Sequence, residues 1–190
     1  MNRIRIAALS FTLTFLTAPH GLAQQHGGAL QHKAADKDQA ASPYSGMETR
    51  GIKALSNEQI ADLLAGRGMG LALAAELNFY PGPSHVLELA DALGLTDDQV
   101  SRTKDLLDQM KAETIPIGKR IIEEETELDR LFAERKIAPT RLVEMIESIA
   151  DAQGALRAAH LRYHLDMAEL LTPGQVGRYS ELRGYSGKPD

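Results

Sequence analysis

The segment "AAHLRYHLDMAEL" places His160 and His164 four residues apart, with Met167 close to one turn beyond. On a helix this spacing puts both imidazoles on one face, where such a pair can ligate zinc, nickel or copper. The same spacing also suits a core histidine at position 160, bonded across to a neighbouring helix, with Met167 as packing opposite Met110. A second arrangement lies in Gln24-Gln25-His26. If the chain is cut after Ala23, a free amine with histidine at the third position can wrap a square-planar Cu(II) or Ni(II), unless the N-terminal glutamine cyclises. His85 belongs to the first turn of a helix and His32 to a polar leader. The glycines of "GRGMG" (Gly66, Gly68, Gly70) look like a phosphate loop only at first sight, because no strand precedes them and no GK[ST] follows. No motif positions a Ser/His/Asp set or a carboxylate pair, so no catalytic residue and no enzymatic activity are expected.

The histidines must be carried by helices. Leu107, Met110, Thr114, Ile117, Ile121, Glu124, Leu128 and Leu131 recur at steps of three and four, which predicts one helix from Asp97 to about Lys136. Leu142, Ile146, Ile149, Gln153, Leu156, His160, Tyr163, Met167 and Leu170 repeat the rhythm after a break at Ala138-Pro139-Thr140. The pair reads as an antiparallel hairpin in which residue i faces roughly 276 − i. That register brings Glu113 near His164, as a third metal ligand or as a salt-bridge partner. Pro116, with Gly118 beyond it, predicts a bend in the first helix rather than a break, since the register continues through it. Shorter helices are expected from Leu55, over Leu71 to Asn78, and from Ser84 or His85 to Leu93 with Gly94 as C-cap. The Tyr80-Pro81-Gly82-Pro83 turn separates the last two. Period-two alternation is lacking, so the fold class is all-α.

One short word recurs. L-[ST]-x-x-Q-[IV] occurs at Leu55-Ser56…Gln59, at Leu95-Thr96…Gln99 and at Leu171-Thr172…Gln175. In each copy the hydroxyl can accept from the glutamine amide while the glutamine side chain bonds back, a capping box, and the flanking apolar residues can staple the turn. The word therefore marks three helix starts, each contributing about 1 kcal/mol.

Ahead of these elements stand Arg3 and Arg5, an apolar run from Ile6 to Leu16, and Gly21-Leu22-Ala23. This is the pattern of a secretory signal peptide cut after Ala23, too short to span a bilayer, which needs about 20 residues. Residues 24–50, rich in Gln, His, Ala and Gly, read as a disordered leader. The all-helical domain is assigned to residues 51–186. No later stretch reads as membrane-spanning. Two of the 21 basic residues fall in the signal segment, leaving 19 against 26 acidic and a mature net charge of −7. Nucleic acid is thus an unsuitable partner. With no cysteine in the chain, an oxidising compartment adds no disulfide and packing alone must hold the fold.

Two LTxxQ words bracketing a long helical hairpin behind a signal peptide resemble the Spy/CpxP group of periplasmic proteins, which includes zinc-resistance-associated proteins and heavy-metal sensors. The resemblance covers roughly Leu89 to Tyr185. It implies a periplasmic, cradle-shaped homodimer of bent hairpins, induced by envelope stress or metal. Its function would be ATP-independent binding of unfolded clients, docking on a periplasmic sensor domain, or binding of zinc, nickel or copper. No other cofactor is required. In metal-binding members the ligands come from the helix ahead of the second LTxxQ, the position of His160 and His164. From the residues themselves, Leu106, Ile115, Ile122 and Phe132 add more apolar surface than one two-helix contact covers. Either the N-terminal helices or a dimer partner bury the surplus, or part of it stays open to clients.

Overall fold

A computed structural model describes residues 42–185. The signal segment, the leader up to residue 41 and the Gln24-Gln25-His26 sequence lie outside the described residues. Seven helices follow one 3-10 turn, Met47–Thr49: α1 (Asn57–Ala65), α2 (Leu73–Glu76), α3 (Pro83–Glu88), α4 (Ala90–Leu93), α5 (Asp97–Ala133), α6 (Pro139–Leu170) and α7 (Pro173–Leu182). Among the described residues there is no strand, and no helix is long and apolar enough to cross a membrane.

All three capping boxes form. Ser56, Thr96 and Thr172 accept from the amides of Gln59, Gln99 and Gln175, and each glutamine side chain accepts from the amide of its cap. Two of the words also meet each other. The Gln99 Nε2 donates to Gln175 Oε1 at 2.8 Å and to the Leu170 carbonyl at 3.1 Å, while Gln175 Nε2 donates to Gln99 Oε1 at 3.0 Å. The start of α5 is thereby clasped to the start of α7 at the base of the hairpin.

Helix α5 runs unbroken through Pro116. Gly118 also makes room for a neighbouring helix. A Cβ there would stand 2.5 Å from the Leu63 carbonyl oxygen, so its absence is what lets α1 lie against α5. Leu63 then enters a buried cluster with Ile121, Ala152 and Leu156, which Ile117 and Ile122 complete. A second cluster closes the base: Val86, Leu93, Met167, Leu171 and Tyr179, with Leu106 packed on it. The N-terminal helices and the base thus cover Leu106 and Ile122 of the expected apolar surplus, whereas Phe132 stays half exposed.

Three sequence expectations change. The helix expected over Leu71 to Asn78 is a single turn, α2. The one expected to end at Gly94 is two pieces, α3 and α4, interrupted at Leu89 (φ −108°, ψ 12°), although Gly94 does cap the second in the left-handed region (φ 59°). On α6 the seam holds Met145 and Ala152 rather than Ile146 and Gln153, both of which face solvent. The alternation of three and four allows either phase. Small residues decide it, because Ala152 and Ala159 admit close approach where Gln153 would bury an amide.

Candidate functional site

His160 and His164 do share one face of α6, and both are buried, at 2% and 8% exposure. The His164 Nδ1 lies 2.7 Å from the Tyr80 carbonyl, which can only accept, so Nδ1 carries the proton. The Pro81-Gly82-Pro83 turn presses on the same ring: a Cβ on Gly82 would come within 2.8 Å of it. His160 packs beside Gly68 of the GRGMG loop, and its Nε2 is buried without a hydrogen-bond partner. Burial, aided by the neighbouring His164, holds the His160 imidazole below its ordinary pKa.

The hairpin register carries Glu113 to this level of α6, but onto another face. Glu113 pairs with Arg162 and accepts from the Tyr163 hydroxyl at 3.2 Å, and the Arg162 bond holds its carboxyl below the usual range. Glu113 is therefore a salt-bridge partner, engaged away from His164. Met167 sits fully buried in the base cluster with Val86 and Tyr179. Among the described residues no three His, Asp or Glu side chains converge as a metal-binding group. His85 lies on α3, 3.2 Å from Glu88.

The polar centre that the structure assembles is built instead on Glu76, in the one-turn α2. Its side chain is 8% exposed. Oε1 accepts from the Tyr179 and Tyr185 hydroxyls, the latter at 2.9 Å, with Arg183 Nε at 3.7 Å. Oε2 is buried with no hydrogen-bond partner, 3.8 Å from a His164 Nδ1 already committed to Tyr80. Burial, then the bond to Glu76, pushes the Tyr179 phenol well above its ordinary range, so it remains a donor. Residues from α2, α6 and α7 and the segment after it thus meet on one carboxylate. A cleft of about 700 Å³ lies beside it, lined by Glu76 together with Leu73, Leu107, Met110, Met69, Lys111 and Glu88. Sequence reading passed over Glu76. The available signal was its isolation, for it is the only acidic residue between Asp62 and Glu88, within the apolar run LALAAELNFY.

A second surface lies on the back of α6. Across the helix from the seam, Val143 (56% exposed), Ile146 (48%) and Leu165 (52%) share one face with the exposed Ala150, Gly154 and Ala158 and the half-buried Leu161. At about 100° per residue these seven fall within an arc of about 120°. Only Glu147 and Arg157 bring charge into that arc. Apart from its chain neighbours and the backbone of its own helix, nothing comes within 4 Å of where a Gly154 Cβ would stand, so the face is open there. In comparison with known proteins, no family model, no curated protein and no solved structure matches this chain.

Proposed function

We propose that the chain acts as an exported stress protein of the Spy/CpxP kind, binding unfolded or partner polypeptides without ATP through the outer face of α6. The observation that carries this reading is the apolar stripe from Val143 to Leu165, which nothing in the described chain covers near its middle. Over 22 residues it extends about 33 Å, long enough to hold an extended or helical segment of another chain. Exposed apolar surface of this extent is costly to keep in water unless it is used. Its near neutrality suits clients recognised by apolar content rather than by charge. Continuous helix without special backbone geometry also suits a binder that needs no nucleotide-driven cycle.

The test is light scattering of a model client as it aggregates, with the full chain present. Equimolar protein should suppress the scattering, and Ile146→Glu with Leu165→Glu should abolish the suppression while leaving the helical circular dichroism unchanged. Absence of suppression by the unmodified chain overturns the reading. A second copy of the chain is the competing occupant of the stripe. It would appear as a dimer in sedimentation that the same two substitutions dissociate, without any effect on client aggregation.

A further inference from the structure

Gly154 is the feature of α6 that the chain by itself does not account for. A glycine inside a helix weakens it relative to alanine, because the bare backbone has more freedom to lose on folding. At Gly118 that cost has a visible reason in the close approach of α1. At Gly154, midway along the outer face, a Cβ would meet nothing beyond its chain neighbours and its own helix backbone. The close approach that a bare position admits there comes from outside the chain, and the surrounding residues say from what. Val143 and Leu165 lie eleven residues to either side of Gly154, and Ala150 and Ala158 four to either side. Ile146 stands eight before it and Leu161 seven after. The apolar face is thus nearly a mirror of itself about its glycine. An unfolded client has no such symmetry to match. A two-fold pair of identical helices requires it, since wherever residue i meets j, j also meets i.

Resting on the client-binding reading of this face, we propose that two copies of the chain pair antiparallel along α6, crossing at Gly154, and so cover each other's stripe until a client displaces one of them. In such a pair residue 154 + n of one copy stands level with 154 − n of the other. Gly154 meets Gly154, Ala150 meets Ala158, Val143 meets Leu165, and Ile146 packs beside Leu161. Glu147 of one copy comes beside Arg162 of the other, while the exposed Arg157 flanks the crossing with its head in water. A parallel pair would instead set Glu147 against Glu147 and Arg157 against Arg157 at the same level, so charge selects the antiparallel one. The strip is about 33 Å long and, at the width of one helix, about 10 Å wide. That falls well short of the roughly 800 Å² per partner in a stable complex, so the pair is weak and exchanges freely. A weak cover is one that a client can replace.

The chain has no cysteine, so a single introduced thiol reports the register. Gly154, Ala150 and Ala158 are all exposed, and a substitution at any of them leaves the fold in place. Sedimentation of the full chain should show a monomer–dimer equilibrium with a Kd between about 1 and 100 µM. Under mild oxidation Gly154→Cys should give a disulfide-linked dimer, since a disulfide needs Cα atoms within about 7 Å. Ala150→Cys and Ala158→Cys should each remain unlinked alone, their equivalents being about 12 Å apart along the helices, and should link when mixed. The oxidised Gly154→Cys dimer should suppress client scattering about tenfold less effectively or worse, and reductant should restore it. No dimer up to about 100 µM, or Ala150→Cys linking to itself as readily as to Ala158→Cys, overturns the proposal. Undiminished suppression by the oxidised dimer overturns the masking and leaves the client reading standing. Absence of suppression by the unmodified chain overturns the client reading, and the masking with it.

Discussion

His160 shows how much a single buried side chain can reveal. Folded, the imidazole is held neutral by burial and by His164; unfolded, it takes up a proton near its ordinary value of 6.5. A base whose pKa is depressed by folding contributes its stability above the unfolded value and loses it as the pH falls. Urea midpoints measured from about pH 7.5 down to about pH 5.5 should therefore drop, by at most about 1.4 kcal/mol per pH unit for one histidine. Replacing His160 with Phe should flatten that window. Glu113 and Glu124 act in a separate, more acidic window: burial works to raise Glu124 but the Arg120 and Ser148 bonds outweigh it, and both carboxylates lose their contribution only as they protonate. A midpoint independent of pH between about 7.5 and 5.5 would show that His160 is protonated equally in both states.

At the scale of elements, the two capping glutamines make the clearest prediction. Gln99 and Gln175 each close their own helix start and also bond to each other at 2.8 and 3.0 Å. Removing either to Ala should cost roughly 1–3 kcal/mol, and a double-mutant cycle in chemical denaturation should show a coupling of about 0.5–2 kcal/mol. Additive losses would mean that the words act separately. Much of this architecture was legible beforehand. The caps, the break at Ala138-Pro139 and the long paired helices all follow from local rules of hydrogen bonding and periodicity. What was not legible depended on contacts distant in sequence. The phase of α6 turned on the small Ala152, the role of Gly118 on a carbonyl from α1, and the meeting of the two words on the base of the hairpin. The candidate site was harder still. The register correctly carried Glu113 to the level of the second histidine, but the turn of the helix aimed it at Arg162 and Tyr163. Glu76 entered no periodic pattern because its partners come from α6, from α7 and from the segment beyond it.

Across the whole described domain, burial is distributed unevenly. Between Ile122 and Glu144, the distal third of the hairpin, no residue is fully buried, while both apolar clusters lie nearer the base. Ion pairs such as Arg130 with Glu127 and Glu134, and Lys53 with Asp129, lie on that end, and exposed pairs contribute little. Native-state hydrogen exchange should therefore find the amides of residues 125–144 opening well before those around Thr103 to Ile121 and Leu156 to Met167. Uniform protection along both long helices would contradict this. The exposed Phe132 and Val143 lie on the same loosely held end.

The base of the hairpin has one more consequence, for the order in which the fold becomes possible. Its closing contacts join residues far apart along the chain: Gln99 to Gln175 spans 76 positions and Tyr179 to Glu76 spans 103. A polypeptide threaded N-end first through a ribosome or a membrane pore has therefore delivered α1 to α6 before Gln175 or either tyrosine that donates to Glu76 emerges. Until then the hairpin is unfastened at its root and the Glu76 carboxylate lacks the two hydroxyls that hold it in the finished fold.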